Sequence, residues 1–266
     1  MHARHRLLLN SDAIELWPAW LLRARSNQDA RHLAQADWLL RRKRDGRYLA
    51  VRLPHGLLPL VARLAREPGI DAALDRLAQH DALPELPDLT ALPLQGLRER
   101  LDRLGMDAHE YEQRTGLSLV AEPSRLHFAG RDRYARALWL TAGAARQWQR
   151  LREAAATEGV VLEAISGYRS HDYQLGIFER KFARGQGLAQ ILAVNAAPGY
   201  SEHHGGDALD ISAPGEPPAE ESFEHTPAFD WLRRRAGDFG FRMSYPRDNP
   251  HGIVYEPWHW RYHTAS

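Results

Sequence analysis

Two short segments of the chain hold residues that could bind a metal ion together. The first covers residues 201–210 (SEHHGGDALD), in which His203 and Asp210 flank a Gly-Gly pair. Glycine tolerates backbone angles that other residues avoid, so the chain can bend there and aim both side chains at one point. A neutral imidazole and a carboxylate are suitable ligands for Zn²⁺. This segment therefore predicts one half of a zinc site.

The second segment covers residues 256–262 (EPWHWRY), near the end of the sequence. Residues three apart in a regular strand point to opposite faces, so Glu256 and His259 can meet one metal only across a turn or a bulge. Pro257 lacks a backbone N–H and is a suitable place for that irregularity. We therefore expect the backbone to turn between Glu256 and His259.

Together the two segments predict a catalytic zinc site rather than a structural one. His203, Asp210 and His259 would supply three ligands and leave the fourth position to water. Zinc lowers the pKa of its bound water from about 15.7 to about 7, and Glu256 is free to act as the base. Arg169 follows a predicted strand and is the candidate cation for the oxyanion of a tetrahedral intermediate. This pattern points to metal-assisted hydrolysis of a peptide bond.

The composition excludes several other kinds of chemistry. The 266 residues contain no cysteine, which excludes a thiol nucleophile, a disulfide framework and Cys-ligated zinc. The net charge of +1 is too mild to indicate a nucleic-acid groove, so no nucleic-acid partner is expected. No stretch approaches the roughly 20 apolar residues of a membrane span. The oligomeric state is not indicated.

The start of the sequence bears on where the protein works. It has only three consecutive leucines before polar residues, far short of the roughly 7–15 apolar residues of a secretory signal. As it stands, the sequence predicts a cytoplasmic protein, or a periplasmic or extracellular one if a leader has been removed.

The residues that could do chemistry lie among helices and strands that begin near Leu126. Thr141 predicts the cap of a helix that stops at Gly159, and residues 160–165 predict a buried strand. Further helices are expected from 170 or 172 to 182, over 188–196 and over 226–239, and further strands over 208–212, 241–245, 252–256 and 258–262. Helices first and antiparallel strands late predict an α+β fold with a small antiparallel sheet flanked by helices.

The first part of the chain carries no chemical motif. We expect a smaller, mostly helical accessory domain over residues 1–115 and a catalytic domain over 116–266. A Gly-containing turn at 44–46 predicts a β-hairpin. Helices are expected over 57–66, 70–79 and 94–104, with a Pro-rich connector before the last of them.

Three segments resemble the signatures of a known family. Residues 166–174 (SGYRSHDYQ), 198–210 (PGYSEHHGGDALD) and 256–262 look like those of the vancomycin-resistance-type D-alanyl-D-alanine carboxypeptidases. These belong to the LAS metallopeptidases, together with D-Ala-D-Ala dipeptidases and the hedgehog signalling domain. The likeness covers residues 126–263, and three motifs in the same order make it specific. It implies a hedgehog/D,D-peptidase-like fold for this part of the chain.

The resemblance also implies a role for each matching residue. It implies one Zn²⁺ per chain on His203, Asp210 and His259, with Glu256 as the catalytic base and Arg169 as the oxyanion-stabilising arginine. Four further residues match positions that hold the substrate or line its pocket, namely Gln174, Ser201, Tyr168 and Trp258. The sequence departs from the family at His204-Gly205, and the seven-residue step to Asp210 favours His203 over His204 as the ligand.

The function that the resemblance implies is removal of a terminal D-alanine from a peptidoglycan stem peptide or muropeptide by a zinc-dependent carboxypeptidase, of D,D or L,D type. One alternative is an endopeptidase that cuts inside the stem peptide or cross-bridge, as lysins do. Another is a zinc-bearing binding module without turnover. The presence of both Glu256 and Arg169 argues against that last alternative.

Overall fold

The computed structural model describes residues 5–82, 90–94 and 96–263. The chain divides into two compact units, of which the first contains Met1–Pro93 with Pro123–Phe128 and the second contains Leu94–Glu122 with Ala129–Ser266. Among the helices of these described residues, none combines the length and the hydrophobicity that a bilayer crossing requires.

The first unit is built on an antiparallel sheet. Its strands pair in chain order and are β1 (Leu7–Asn10), β2 (Ile14–Pro18), β3 (Trp38–Arg42), β4 (Tyr48–Leu53) and β5 (Gly56–Pro59). The start of β6 (Arg125–Arg131) pairs with the outer edge of β1. The predicted hairpin is confirmed, because β3 and β4 pair antiparallel around the turn at residues 43–47.

Two helices accompany this sheet, α1 (Asn27–Gln35) and α2 (Ile70–Ala82). Helix α2 agrees with the helix predicted over 70–79. It buries Ile70, Ala73 and Leu77 in one apolar cluster with sheet residues such as Trp38. Burying each large apolar side chain contributes roughly 1.5–3 kcal/mol, so the helix is held by its packing on the sheet.

Helices were expected to predominate over residues 1–115, and among the described residues of that range four helices are accompanied by five strands. One helix expected there, over residues 57–66, was wrong. There the chain forms β5, which pairs with β4, and then only a 3₁₀ turn at Leu64–Arg66. A short apolar run fits a strand or a helix equally well, and the open edge of β4 decides between them.

The second unit contains the remaining helices. They are α3 (Leu97–Arg103), α4 (Ala108–Thr115), α5 (Ala142–Thr157), α6 (His171–Ala183), α7 (Leu188–Ala193) and α8 (Pro227–Arg235). The predicted cap at Thr141 is confirmed, and Ser170 and Thr226 cap α6 and α8 in the same way: each of the three accepts a hydrogen bond from the backbone N–H three residues further on. Helices α3 and α4 pack here with Phe178 of α6, although both precede the boundary suggested at residues 115 and 116.

A four-stranded antiparallel sheet forms the centre of the second unit. Its order is β10-β11-β9-β8, with β8 (Glu163–Ser166), β9 (Ala208–Ser212), β10 (Phe241–Met243) and β11 (His259–Tyr262). Strand β7 (Ala137–Leu140) precedes α5. Helices α5 and α8 cover the sheet, with Trp148 and Trp231 buried in one cluster beside Leu209 and Trp260. This confirms the α+β class and the small antiparallel sheet.

One strand predicted in this unit was wrong. Residues 252–256 form no strand and run as an irregular segment. Val254 N donates to Ala193 O at the end of α7, and Glu256 N donates to Tyr245 O in a loop. These backbone N–H groups have partners outside any strand, so no ladder forms.

Candidate metal centre and active site

Two adjacent strands and one turn bring the predicted metal ligands together. Asp210 in β9 and His259 at the start of β11 are cross-strand partners, so their side chains leave the sheet side by side. His203 lies in a 3₁₀ turn, Glu202–Gly205, just before β9. Gly206 closes that turn with φ of 74°, a conformation that suits glycine. The bend expected between His203 and Asp210 is therefore present.

The three side chains converge on one point. One ligand atom from each of His203, Asp210 and His259 lies within 4.8 Å of the other two. Asp210 Oδ1 is 3.2 Å from His203 Nε2 and 3.1 Å from His259 Nδ1. Atoms bound to a tetrahedral zinc at about 2.0–2.2 Å lie roughly 3.3–3.6 Å apart. The spacing is thus close to that of ligands around one ion, and all three residues are buried.

The two histidines direct different ring nitrogens toward the shared point: His203 directs its Nε2 and His259 its Nδ1. His203 Nδ1 donates to the carbonyl oxygen of Gly167 at 2.8 Å, so its Nε2 keeps the lone pair. That Nε2 is buried without a hydrogen-bond partner. His259 Nε2 donates to Glu202 Oε2 at 2.9 Å, which leaves its Nδ1 beside Asp210. A buried lone pair without a partner is costly, and a cation at this point would remove the cost.

The surroundings favour the protonation states that a divalent cation needs. Burial, helped by the charge of Arg169, lowers the pKa of His203 to about 4, which keeps its ring neutral. Burial alone would raise the pKa of Asp210, but His203 and Arg169 hold it well below its usual range. Metal ligands must be neutral imidazoles and ionised carboxylates.

His259 is surrounded by negative charge. Burial would lower the pKa of His259, yet its hydrogen bonds with Asp210 and Glu202 raise it to about 10. The same carboxylates that favour a proton on this ring would favour a divalent cation at Nδ1. Two imidazole nitrogens and one carboxylate oxygen form a donor set that fits zinc and leaves room for one more ligand.

Glu256 lies next to these residues. Its Oε2 is 3.9 Å from His259 Nδ1, and its side chain is 12% exposed. The turn expected at Pro257 is present: His259 N donates to Glu256 O at 3.1 Å, which places both side chains on the same side. Burial raises the pKa of Glu256 to about 7, although the charge of His259 opposes the shift.

Arg169 approaches from the segment between β8 and α6. Its Nη2 donates to Asp210 Oδ2 at 2.7 Å, and its Nε is buried without a hydrogen-bond partner. Its backbone N–H also donates to His203 O at 3.2 Å. The guanidinium is therefore fixed beside the metal-site carboxylate and retains a donor that no protein atom uses.

One pocket contains most of the predicted site residues. Its walls include the three candidate ligands, Arg169 and Glu256, and also Gln174, Ser201 and Trp258. Gln174 is 1% exposed and donates through Nε2 to Ala196 O, while its Oε1 is buried without a partner. Tyr168, predicted to line this pocket, is not among the residues of its walls. Its hydroxyl donates to Glu122 Oε2 at 2.6 Å, and this hydrogen bond turns the ring toward a different neighbour.

Glu202 is a site residue that the sequence analysis missed. It lies behind His259 and is also bound to Ser244 and Arg261. Strand periodicity could have indicated Arg261, because it lies two residues after His259 on β11 and therefore on the same face of the strand. Nothing local marked Glu202, because its partner is 57 residues away in the sequence.

His204 has a structural role in the site. It is fully buried, its Nδ1 donates to Arg169 O at 2.7 Å, and its Nε2 accepts from Gly199 N at 3.0 Å. Both ring nitrogens are occupied by backbone groups, so His204 is not among the residues that converge. Gly199 has φ of 93°, and a Cβ there would lie 2.5 Å from Leu97 Cδ1, which restricts this position to glycine.

This arrangement predicts a graded effect of changes at His204. Replacement by leucine would leave a buried carbonyl and a buried N–H unpaired, and each costs about 1–3 kcal/mol. Replacement by glutamine keeps one donor and one acceptor and should cost less. Urea unfolding of the metal-free protein measures both. Equal stability of His204→Leu and the unsubstituted protein would show that the two backbone contacts do not matter.

Comparisons with known proteins agree with the three motifs. The profile described as "VanY: D-alanyl-D-alanine carboxypeptidase" matches residues 137–265. The chain is 32% identical over 130 residues to the bifunctional D-Ala-D-Ala dipeptidase and D-Ala-D-Ala carboxypeptidase VanXYC of Enterococcus gallinarum. That match covers 47% of this chain and 67% of the relative. The four curated relatives are matched over 28% to 67% of their own length.

Two of the similar solved structures are of VanY proteins. VanYB in complex with D-alanine-D-alanine has a TM-score of 0.41 and 32% identity, covering 47% of this chain and 72% of that chain. A variant of the D,D-pentapeptidase VanY in complex with Zn(II) has a TM-score of 0.40 and 33% identity, covering 47% and 73%.

The matched segment and the candidate site coincide. Residues 137–265 contain Arg169, the three converging residues and Glu256. The resemblance inferred from the motifs is confirmed: the chain belongs to the VanY family of D-alanyl-D-alanine carboxypeptidases, which are metallopeptidases.

Proposed function

We propose that this protein is a zinc-dependent carboxypeptidase that removes the terminal D-alanine from peptidoglycan stem peptides or muropeptides. The observation that carries the proposal is the convergence of His203 Nε2, Asp210 Oδ1 and His259 Nδ1 in a pocket shared with Glu256 and Arg169. The substrate class comes from the family, whose description names D-alanyl-D-alanine, and from the name of VanXYC.

The metal site follows from the donor set. His203, Asp210 and His259 would hold one Zn²⁺ per chain. When bound, zinc supplies a Lewis acid for the scissile carbonyl and lowers the pKa of a bound water to about 7. The protein contributes two imidazoles and a carboxylate whose own partners, Gly167, Glu202 and Arg169, keep them in place, and His259 would release a ring proton when the metal binds.

Glu256 carries the proton in the proposed mechanism. Its carboxylate accepts a proton from the attacking water and passes it to the amine nitrogen of the departing D-alanine. A group with a pKa of about 7 can both accept and return a proton near neutral pH, and burial gives Glu256 that value. Its Oε2 lies close enough to His259 to reach a water at the edge of the metal site.

Arg169 stabilises the oxyanion that forms on the carbonyl carbon. The ion pair with Asp210 fixes the guanidinium, so no reorganisation is needed as charge develops. Its buried Nε provides a donor with no protein partner. A preorganised cation of this kind acts most strongly in a site from which water is excluded.

The end of the substrate is held by the remaining pocket residues. We assign Ser201 and Gln174 to the terminal residue, since Gln174 Oε1 has no protein partner and Ser201 is buried in the same wall. Trp258 contributes an apolar surface. Every residue of the pocket belongs to the second compact unit, and we propose that the first unit is accessory to catalysis.

Removal of the metal tests this function. Dialysis against 1,10-phenanthroline should abolish D-alanine release from a pentapeptide ending in D-Ala-D-Ala, and one equivalent of Zn²⁺ per chain should restore it. Activity should be lost because the bound metal would lower the pKa of the attacking water and act as the Lewis acid. Product analysis by mass spectrometry gives the measurement, and a matched peptide ending in L-alanine is the control.

The products also separate the alternatives. Internal fragments without free D-alanine would indicate an endopeptidase instead. Zinc binding without any cleavage of stem peptides would indicate a binding module. Unchanged activity after complete zinc removal would contradict the proposed mechanism.

A further inference from the structure

A carboxylate with no step in the proposed mechanism lies directly behind His259. Glu202 Oε2 accepts from His259 Nε2 at 2.9 Å and from Ser244 Oγ at 2.6 Å. Its Oε1 accepts from Arg261 Nη1 at 3.0 Å. The Glu202 side chain is only 13% exposed. Both of its oxygens are therefore engaged, and one of them faces a candidate metal ligand.

We propose that Glu202 is a positioning residue that selects the tautomer of His259 and aims its Nδ1 at the metal, which strengthens zinc binding. The inference rests on the proposed zinc site. Glu202 itself does not touch the reacting atoms, because it lies on the opposite side of the imidazole ring from Asp210.

A choice between tautomers exists only for the neutral imidazole, which is the form in which His259 would bind a metal. An ionised carboxylate can only accept, so a hydrogen bond between His259 Nε2 and Glu202 requires the ring proton at Nε2. The lone pair then lies at Nδ1. Without Glu202 the competing tautomer would carry its proton at Nδ1, where Asp210 Oδ1 is 3.1 Å away and can accept it. That tautomer has no lone pair available for a metal.

Glu202 is itself fixed from two sides. Arg261 lies on the same face of β11 as His259, and Ser244 directly follows β10, which pairs with β11. Their two hydrogen bonds hold the carboxylate in one orientation. Glu202 also directly precedes His203, so a single turn carries one metal ligand and the support of another.

The other histidine has a different kind of support. His203 Nδ1 donates to a backbone carbonyl, that of Gly167, which no side-chain substitution removes. The support of His259 is a side chain and can be tested directly. Loss of such an outer partner typically weakens metal binding by about 10- to 100-fold.

The experiment measures zinc affinity of the full chain by competition with a chromogenic chelator. Glu202→Gln keeps the volume, but its amide cannot accept from both Arg261 and His259, so we expect zinc binding about 10-fold weaker. Glu202→Ala removes every acceptor and should approach about 100-fold. Glu163→Gln is the matched control, because its carboxylate accepts from Arg133 Nε and should stay within about twofold of the unsubstituted protein.

The results distinguish failure of the proposed zinc site from failure of the positioning role of Glu202. If the unsubstituted protein binds no zinc, the proposed function fails. If it binds zinc and both Glu202 variants bind it equally well, the positioning role is overturned while the zinc site stands. Should Glu202→Ala not fold, Glu202→Gln decides alone.

A double-mutant cycle distinguishes positioning from a general charge or folding effect. If Glu202 acts through the His259 imidazole, then Glu202→Gln should not weaken zinc binding further in a His259→Cys background, where a thiolate still binds zinc but has no tautomer to select. The same 10-fold loss in both backgrounds would overturn the proposal, as would a loss of affinity that only follows a lower unfolding midpoint of the metal-free protein.

Discussion

Replacing Glu256 by glutamine is expected to slow D-alanine release by about 10²- to 10⁴-fold, the range over which a positioned acid–base group contributes. The amide has the same size but cannot accept the proton of the attacking water. Because Glu256 is outside the converging ligand set, zinc should still bind. The loss should therefore appear in kcat, with the metal content unchanged.

The control for this result is Glu158→Gln, which changes a carboxylate that pairs with Arg235, since neither of these two residues lines the pocket. Its activity should equal that of the unsubstituted protein. Two measurements are needed, namely the rate of D-alanine release and the zinc content of the purified variant. A Glu256→Gln protein that retains zinc and turns over at the normal rate would remove Glu256 from the mechanism.

Replacing His203 by alanine is expected to eliminate measurable zinc binding and, with it, activity. One of three protein ligands is lost, so the affinity should fall by more than the roughly 10- to 100-fold typical of an outer partner. His203 Nε2 is the atom that meets Asp210 Oδ1 at 3.2 Å, and it has no other partner in the pocket.

The neighbouring histidine provides a matched control for that change. His204→Gln alters an equally buried imidazole one residue away and keeps its donor and its acceptor. Zinc affinity should be close to that of the unsubstituted protein. Both affinities can be measured with the same chelator competition. The reverse pattern, with zinc lost in His204→Gln and kept in His203→Ala, would assign the metal to the other ring.

Much of the candidate site could be predicted because its residues are dictated by local chemistry. His203 and Asp210 were recognised from their types and from the glycines between them, and the structure brings both to His259. The turn at Pro257 followed from strand periodicity, since Glu256 and His259 could not otherwise share a side. These inferences needed no knowledge of distant parts of the chain.

The parts that failed depend on tertiary partners. Residues 57–66 have an apolar pattern without a decisive period, and pairing with β4 made the first of them a strand. In residues 252–256, two backbone N–H groups donate to the end of α7 and to a loop instead of to a strand. The hydrogen bond from the Tyr168 hydroxyl to Glu122, 46 residues earlier, could likewise not be inferred from the motif that contains Tyr168. Propensity and spacing do not contain such long-range information.

The site depends on how β9 and β11 are aligned, because Asp210 and His259 are cross-strand partners. A shift of one residue between these strands would send the His259 ring to the opposite face of the sheet. The 48 residues between Asp210 and His259 contain α8, β10 and loops, and length changes in those loops need not alter the alignment. An insertion or deletion of one residue inside β9 before Asp210 would instead turn that carboxylate to the opposite face in a single step, so variation in this protein should accumulate between the strands and not within them.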